Sequence, residues 1–444
     1  MKFSIKTFGC QMNACDSEWL ARSLTAKGWE EGGENSADFV LINTCSVREK
    51  PELKVYSQIG RYREVWEKNP DFFVGVGGCV AQQVGKELWK RFPYVRLVFG
   101  TDGLAMVPQA LDRLVRAKNV RTSLLDFLDY YPEREGAFPE KMGPNAFVTI
   151  MQGCDNFCAY CIVPHVRGRQ KSRRSEDVLQ ECRNLIARGV KEVTLLGQNV
   201  NSYGLDRNGD GTSFARLLES VAALPGLERI RFTTSHPKDI APEVVAAFGT
   251  LEKLCPQLHL PIQSGSDRIL ARMGRKYTRE EYMSLVDKLR KVCPDISLST
   301  DFIVGFPGET DEDFAQTLEV LNAVGFEGSF SFKYCDRPGV RSEIMDGKVD
   351  ETVKAARLKT LQDLQTILAD EALARRVGAH TEVLVEGESK RDTAEGRSWK
   401  GRDPGGRIVN FSSMNPEDLT GRFIKVRITA AKKHSLAGRM VHDD

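Results

Sequence analysis

The stretch AFVTIMQGCDNFCAYCIVPHVRGR, residues 146–169, decides the fold and much of the chemistry of this chain. It runs from an apolar, strand-like segment into Cys154, Cys158 and Cys161, and no fourth cysteine follows within the next twenty residues. Three thiolates at this spacing can hold three corners of an iron–sulfur cube, whereas electron-transfer ferredoxins close their clusters with four. An iron without a protein ligand is open to an exogenous group. These three cysteines, here called the loop set, therefore predict a reactive metal centre.

The segment around the loop set, about residues 140–370, alternates apolar strands with amphipathic helices. Its six strand candidates are AFVTIMQG, EVTLLGQN, RIRFTTS, LHLPIQSG, ISLSTDFIVGFPG and GSFSFKY. Parallel strands with helical crossovers predict a barrel or partial barrel whose functional groups lie at the carboxyl ends of the strands. Polar or glycine-rich residues follow several of these strands. A single such residue is typical of a loop or helix cap, but the set together favours a site. Its members are Gln198, Asn199, Ser235, His236, Gln263, Ser264 and the run from Gly305 to Glu309.

The first segment, residues 1–118, has the same strand and helix rhythm and predicts a parallel, doubly wound sheet. Cys10, Cys45 and Cys79 each follow one of its strands, in FGCQMN, NTCSVRE and GGCVAQ. The carboxyl ends of parallel strands share one sheet edge, so we expect these three cysteines, here called the edge set, to converge on a second metal. The alternative is three buried core cysteines, which is how we interpret Cys15 in the first helix.

The remainder of the chain predicts a linker and a small third domain. Residues 119–139 lose periodicity and gain Pro, Gly and charge, as linkers do. Residues 373–438 carry short β-like runs broken by Gly and Pro, which predict a small antiparallel barrel. Basic side chains crowd its last strands and form either a solvated face or an RNA-backbone contact: Arg422, Lys425, Arg427, Lys432 and Lys433.

A second basic cluster directly follows the loop set, in VRGRQKSRRS. We expect it to bind an anionic partner, either RNA or the carboxylate of a cofactor, because so much like charge is unusual beside a buried centre. Its members are Arg167, Arg169, Lys171, Arg173 and Arg174.

The composition of the whole chain is that of an ordinary globular protein. Among 444 residues, 41% are hydrophobic, the net charge is only +2, and no apolar run is long enough to cross a bilayer. The N-terminus MKFSIKTFGCQMN lacks a secretory pattern, so we expect a cytoplasmic protein without a membrane partner. In a reducing compartment the eleven cysteines are metal ligands or buried hydrophobes rather than disulfides.

An iron with a vacant position can chelate a ligand that offers amine and carboxylate groups and can pass one electron to it. Radical chemistry with S-adenosylmethionine is one use of such a centre. Tyr160, just before the third loop cysteine, is either an aromatic face for the adenine or a packed loop residue. We expect further cofactor contacts from the strand ends: Gln198, Asn199, Ser235, Gln263 and Asp301.

The full length of the chain resembles the radical-SAM methylthiotransferases. The loop set resembles their radical-SAM signature, the edge set resembles the second-cluster ligands of their N-terminal domain, and the last segment resembles a TRAM domain. The stretches TFGCQMNACDSE and LLGQNVNSYG are similar to the tRNA-modifying, MiaB-type branch. HLPIQSGSDRIL and STDFIVGFPGET are similar to later strand ends of the family.

The resemblance implies an enzyme that converts N6-isopentenyladenosine at tRNA position 37, beside the anticodon, into its 2-methylthio derivative. It implies two [4Fe–4S] clusters and two S-adenosylmethionine molecules per turnover. One molecule is cleaved to a 5′-deoxyadenosyl radical and the other methylates sulfur on the edge-set cluster. We further expect a monomer, a flavodoxin or ferredoxin as electron donor, and a sulfur donor of unknown identity.

Alternatives remain open at this point. The same chemistry could act on threonylcarbamoyladenosine in tRNA or on a ribosomal-protein aspartate, or the chain could be a non-catalytic iron–sulfur protein that binds RNA or transfers electrons. One motif also departs from the family. Where Tyr-Ser-x-Arg-x-Gly-Thr is common, this chain has YCDRPGV, so Cys335 and Val340 replace Ser and Thr. We interpret Cys335 as a spectator, and the departure leaves the substrate contacts in question.

Overall fold

The computed structural model describes residues 1–34, 36–46, 51–117, 119–134, 138–140, 142–207, 209–389, 396–414 and 417–441. Residues 135–137 of the expected linker, 47–49 after the second edge cysteine and Lys390 of the last domain's first predicted strand lie outside the described residues. No helix in the described ranges combines the length and apolarity needed to span a bilayer. The chain forms three domains in the predicted order.

The N-terminal domain is a parallel six-stranded sheet in the order β2-β1-β3-β4-β5-β6. Its central strands β3 and β4 are buried along their whole length because helices cover both faces, and each face has its own hydrophobic core. This confirms the doubly wound prediction. The strands are β1 Lys2–Thr7, β2 Glu30–Glu31, β3 Phe39–Thr44, β4 Phe73–Gly78, β5 Val95–Phe99 and β6 Thr122–Leu124. The helices are α1 Gln11–Ala26, α2 Pro51–Gly60, α3 Arg63–Lys68, α4 Cys79–Val84, α5 Glu87–Arg91 and α6 Val107–Arg116.

The sheet of the N-terminal domain extends past the predicted boundary at residue 118. β6 pairs with β5 in parallel register, although its sequence lies in the region that we interpreted as linker. Three residues are too few to show an alternating pattern, which is why the sequence did not indicate this strand.

The central domain is a partial barrel of six parallel strands. Two three-stranded sheets, β11-β10-β7 and β12-β13-β14, meet where Ile230 bridges to Leu254. The strands are β7 Asn145–Thr149, β10 Glu192–Leu196, β11 Arg229–Thr233, β12 Gln257–His259, β13 Ser297–Val304 and β14 Gly328–Lys333, and a short hairpin adds β8 Met151–Gln152 and β9 Lys171–Ser172. The helices are α7 Val163–Arg167, α8 Ser175–Ile186, α9 Phe214–Ala222, α10 Pro242–Thr250, α11 Asp267–Arg272, α12 Arg279–Val292, α13 Asp311–Val324 and α14 Glu351–Ala374.

Local signals fix where these helices begin. Thr278 and Glu281 form a capping box at the start of α12, and Thr310 and Asp313 do the same for α13. The six strand candidates in the sequence are all observed, which confirms the partial barrel.

The C-terminal domain is a closed barrel in the order β15-β16-β17-β19-β18. Its strands are β15 His380–Glu388, β16 Arg397–Arg402, β17 Ile408–Ser413, β18 Phe423–Lys432 and β19 Ser435–Met440. The prediction of a purely antiparallel barrel is wrong at one pair, because β17 and β19 run parallel where the barrel closes. The sequence also did not indicate β16, which carries the buried Trp399 of the core.

The two outer domains contact opposite ends of the partial barrel. At the amino ends of its strands, Arg229 donates to the main-chain oxygens of Arg402 and Glu382, at 3.0 and 2.8 Å. Near the carboxyl end of β7, the Thr149 hydroxyl lies 3.6 Å from the Cys15 sulfur on α1. The C-terminal barrel therefore closes the bottom of the partial barrel, and the N-terminal domain lies against its functional end.

Candidate active site

The loop set lies in a loop whose two ends are held together. β8 and β9 pair directly before and after it, so residues 153–170 leave and return at one point. Gly153 has a φ of +79°, and a Cβ there would lie 2.1 Å from the Arg169 main-chain oxygen. Only glycine allows this closure. The compact motif in the sequence therefore becomes a loop with a fixed base.

Neighbouring strand ends orient the same loop. The Gly153 amide donates to Gln198 Oε1 at 2.7 Å. Asn199 donates to Asp239 at 2.7 Å, and Asp239 also accepts from Asn156, between the first two loop cysteines, at 3.1 Å. The ends of β10 and β11 thus contact the cysteine loop, as expected of polar groups at the carboxyl ends of barrel strands.

Arg275 contacts the loop set directly, and the sequence did not indicate it. Its Nη1 donates to the Cys158 sulfur at 3.6 Å, its Nε to the Tyr277 hydroxyl at 2.8 Å and its Nη2 to the Pro261 oxygen at 2.8 Å. It follows α11 in an ordinary basic stretch, so only the fold shows its role. Burial, followed by the charge of Arg275, lowers the pKa of His236 to about 2, and this imidazole is therefore neutral.

The remaining predicted cofactor contacts divide into two groups. The Asn199 Oδ1 and Ser235 Oγ atoms are buried without a hydrogen-bond partner among the described residues. Gln263 has a φ of +75°, and its main-chain N–H donates to the Asp301 main-chain oxygen. The Asp301 carboxylate pairs with His259 at 3.3 Å. The first two side chains have unused polar atoms for a ligand, and the other two meet each other on the barrel wall.

Tyr160 and the later strand ends carry structural contacts. Tyr160 packs against a buried apolar cluster: Ala159, Ile269, Met273, Phe306 and Tyr334. Ser264 contacts Thr317, and Glu309 accepts from the Gly305 amide and from Arg357, both at 2.8 Å. These contacts match the alternatives of packed tyrosine and loop cap, and a cofactor role for Tyr160 stays a prediction.

A cavity of about 460 Å³ lies beside the loop set. Its wall includes two loop cysteines and a segment that follows β14: Phe157, Cys158, Cys161, His165, Gly339, Val340, Arg341, Glu343 and Ile344. Val340 also packs against Cys79, together with Ile162 and Val166. The cavity therefore borders the loop set, and one residue of its wall, Val340, shares an apolar cluster with Cys79 of the edge set. Cys335 is exposed, and its thiol donates to the Asp336 main-chain oxygen at 3.6 Å.

The three edge cysteines lie at the carboxyl ends of three neighbouring strands. Cys10 caps α1 after β1, Cys45 directly follows β3, and Cys79 begins α4 after β4. The hydrogen bond from Cys45, supported by the charge of Arg167, lowers the pKa of Cys10 to about 5. Cys15 does not belong to this group. It is buried against Met12 and Leu196, and burial raises its pKa to about 11.

Glycines before two edge cysteines make their approach possible. A Cβ on Gly9, which has a φ of +131°, would lie 2.4 Å from the Cys45 Cβ. A Cβ on Gly78, with a φ of +86°, would lie 2.3 Å from the Thr44 oxygen. At both positions φ is positive and an added Cβ would clash with a neighbouring atom, so only glycine fits.

The expectation that the whole basic cluster after the loop set contacts RNA is wrong for three of its members. Arg167 is 3% exposed and its Nη2 donates to Asn13 Oδ1 at 3.1 Å. Lys171 is equally buried against Asp102, and Arg173 forms buried ion pairs with Glu133 and Glu181. Charges that appear clustered in the sequence are neutralised by acidic residues brought from other parts of the fold.

The other basic candidates lie at the surface. Arg169 is exposed, pairs with Asp155 at 2.8 Å and covers the Phe157 ring, and Arg174 is exposed as well. Along β18 the buried Val426 and Ile428 alternate with exposed side chains. The five basic residues predicted to contact RNA in the C-terminal barrel are all exposed: Arg422, Lys425, Arg427, Lys432 and Lys433.

The residues of both sets fit iron–sulfur clusters better than a single ion. In the described residues, no three His, Cys, Asp or Glu side chains close on one metal ion. Thiols are the ligands of iron–sulfur cubes, and a cube spreads three of them over three different irons. Burial, followed by the charge of Cys158, raises the pKa of Cys161 to about 12, so a metal must displace a proton there.

Family models match all three domains. They are the Radical SAM superfamily at residues 148–321, the Uncharacterized protein family UPF0004 at residues 2–100 and the TRAM domain at residues 374–441. In solved structures, a radical S-adenosylmethionine methyltransferase, TsrM from Kitasatospora setae, shares the fold. It has a TM-score of 0.57 at 15% identity, over 85% of this chain and 90% of that chain.

Curated relatives are similar over nearly the whole chain. The tRNA-2-methylthio-N(6)-dimethylallyladenosine synthase of Nitratidesulfovibrio vulgaris (strain Hildenborough) is 58% identical, over 98% of this chain and 97% of its own length. The protein of the same name from Geobacter metallireducens is 49% identical over the same shares. With both cysteine sets and all three domains in place, this chain belongs to the family of the tRNA-2-methylthio-N(6)-dimethylallyladenosine synthases, within the radical SAM superfamily.

Proposed function

We infer that this chain is a radical-SAM methylthiotransferase that adds a methylthio group to C2 of N6-isopentenyladenosine at tRNA position 37. The observation that carries this inference is a cavity lined by two loop cysteines, one wall residue of which, Val340, packs in the same apolar cluster as Cys79 of the edge set. When bound, two [4Fe–4S] clusters and S-adenosylmethionine supply reductive radical formation and a sulfur for transfer. A cavity of about 460 Å³ is within the range of small-ligand sites and is large enough for a single base.

The residues of the chain position these groups. Gln198 and Asn199 hold the loop set against the ends of β10 and β11. Val340, Phe157 and Ile344 contribute apolar surface to the wall of the cavity. We propose that S-adenosylmethionine contacts Tyr160 and the strand-end residues: Gln198, Asn199, Ser235, Gln263 and Asp301. The unpaired atoms of Asn199 and Ser235 support this for those two residues.

The partner of the enzyme is tRNA, and its contacts are proposed at two surfaces. Arg169 and Arg174 lie beside the cysteine loop. The second surface is on the C-terminal barrel, with Arg422, Lys425, Arg427, Lys432 and Lys433. Exposed guanidinium and ammonium groups are suited to the phosphate backbone.

We also propose a flavodoxin or ferredoxin as the electron donor, a monomeric state and a cytoplasmic location. None of the eleven cysteines forms a disulfide in the described residues, and reduced cysteines are typical of a reducing compartment. Sedimentation of the iron-loaded protein tests the monomer, and fractionation of cells tests the location.

Mass spectrometry of tRNA nucleosides tests the activity. Cells without the gene should lack 2-methylthio-N6-isopentenyladenosine and accumulate the unmodified isopentenyladenosine, and the wild-type gene should restore the product. An unchanged level of the methylthio nucleoside after deletion would contradict the proposal.

The same experiment separates the alternatives. Loss of the methylthio derivative of threonylcarbamoyladenosine, or of the methylthiolated ribosomal aspartate, would assign a different acceptor. A non-catalytic iron–sulfur protein predicts that reconstituted enzyme releases no 5′-deoxyadenosine with dithionite and S-adenosylmethionine. We expect release of this product.

A further inference from the structure

Arg167 lies at the boundary between the two cysteine sets. It ends α7, the short helix that follows Cys161, and therefore belongs to the radical-SAM domain. Its guanidinium nevertheless enters the N-terminal domain, where Nη2 donates to Asn13 Oδ1 at 3.1 Å and lies 3.8 Å from Asp16. The same Asn13 oxygen accepts from the Cys10 sulfur at 3.4 Å.

The guanidinium of Arg167 is close to two of the three edge cysteines. Its charge interacts electrostatically with Cys79 and Cys10, and it shares the Asn13 oxygen with the Cys10 sulfur. A guanidinium is not deprotonated in proteins, so the Arg167 side chain is charged here. A positive charge thus lies beside the edge set, supplied by the other domain.

One nitrogen of this side chain has no protein acceptor. Nη1 of Arg167 is buried and makes no hydrogen bond to any described residue. An unused buried donor on a charged group is costly, so a ligand acceptor at this position would be favourable. A cluster on the edge set is anionic, because thiolates and sulfides outweigh the iron charge, and its sulfur atoms would be acceptors for this donor.

We propose that Arg167 is the counter-charge of the edge-set cluster and sets its reduction potential. This rests on the proposed second cluster at Cys10, Cys45 and Cys79. A reduced cluster carries one more negative charge than an oxidised one, so a neighbouring cation stabilises the reduced form. Arg167 is a positioning residue, because it acts through the cluster and not on the substrate.

The chain offers a matched control for this proposal. Arg134 also pairs with Asp16, at 2.5 Å, and is buried like Arg167. The charged and aromatic groups around it are Tyr131, Asp16 and Cys15, and the edge cysteines are not among them. Arg134→Gln therefore removes an ion pair of the same acidic residue and leaves the charge beside the edge set.

The test is redox titration of the full-length chain with Cys154, Cys158 and Cys161 changed to Ala, so that only the edge-set cluster remains. Arg167→Gln keeps a donor and removes the charge. We expect its potential to fall by about 59 mV, a tenfold change in the one-electron equilibrium. The potential of Arg167→Lys should lie nearer to that of the parent triple variant, and the potential of Arg134→Gln should equal that of the parent.

An unchanged potential in Arg167→Gln, or an equal fall in Arg134→Gln, would overturn the proposal. If Arg167→Gln does not retain iron, the iron content of the variants is compared in place of their reduction potentials. Arg167→Lys should then retain iron, and its failure to do so would overturn the proposal as well. Absence of iron from the parent triple variant itself would instead contradict the second cluster, and this result is separate from any effect of Arg167.

Discussion

The two cysteine sets achieve the same ligand number in opposite ways. The loop set comes from eight consecutive residues, and a two-strand hairpin with Gly153 closes its base. The edge set comes from residues 35 and 34 positions apart, and three parallel strands bring them together. One site is therefore encoded by a local motif and the other by the topology of a sheet. The loop set should tolerate changes elsewhere in the fold, whereas the edge set depends on the packing of its whole domain.

The electrostatic surroundings differ as well. Arg275 contacts Cys158 of the loop set from within the same domain. Arg167 reaches the edge set from the neighbouring domain. The charge beside the edge set therefore comes from the neighbouring domain, whereas the charge beside the loop set comes from its own domain.

The largest expected effect is a division of activities between the sets. Cys158→Ala should abolish both 5′-deoxyadenosine formation and methylthiolation, because the first depends on the loop set. Cys45→Ala should abolish only methylthiolation. Both products are measured by mass spectrometry on reconstituted enzyme with its tRNA substrate. Cys335→Ala, an exposed cysteine outside both sets, is the control and should retain both activities. Methylthiolation by Cys45→Ala would contradict a role of the edge set in sulfur delivery.

Gly9→Ala tests the dependence of the edge set on close backbone contact. The added Cβ would lie 2.4 Å from the Cys45 Cβ, so one edge cysteine must move. We expect iron to fall from about eight to about four per chain, with a loss of about 1–3 kcal/mol in unfolding free energy from backbone strain. Gly28→Ala is the control, because Gly28 also has a positive φ, +81°, but has open space around it. Equal iron in Gly9→Ala and wild type would contradict this account.

Gln198→Leu tests the loop set in the same way, with a smaller effect. The variant leaves the Gly153 amide without its acceptor at 2.7 Å, at a cost of about 1–3 kcal/mol. We expect 5′-deoxyadenosine formation to fall by roughly 10- to 100-fold while about eight irons remain. Gln365→Leu is the control, because Gln365 is also buried and donates to one main-chain oxygen, that of Phe326, far from the cysteines. An equal loss of activity in both variants would indicate general destabilisation.

The parts of the fold and site that the sequence predicts are those encoded locally, and the parts that it does not predict depend on the topology. The loop set and the strand-end residues Gln198 and Asn199 could be located because a short motif and strand periodicity are local. The edge set could be located only because its strands were recognisable as parallel. Arg167 and Arg275 could not be interpreted, since their partners come from distant segments. The parallel pairing of β17 with β19 was also not predictable, because barrel closure depends on contacts between strands that the periodicity of each strand does not encode.

The smallest expected effect concerns a surface that should affect neither cysteine set. Lys425 and Arg427 lie exposed on β18, so replacing both with Ala should weaken tRNA binding without changing iron content or 5′-deoxyadenosine formation. If each contacts one phosphate, the slope of log affinity against log salt should decrease by about 1 per residue. Lys359→Ala, an exposed lysine paired with Asp363 on α14, is the control and should leave the slope unchanged. An unaltered slope in the double variant would remove this strand from the RNA-binding surface. A change in iron content would show instead that the C-terminal barrel stabilises the partial barrel, through the contacts that Arg229 of β11 makes with Arg402 and Glu382. The loop set would then depend on another domain.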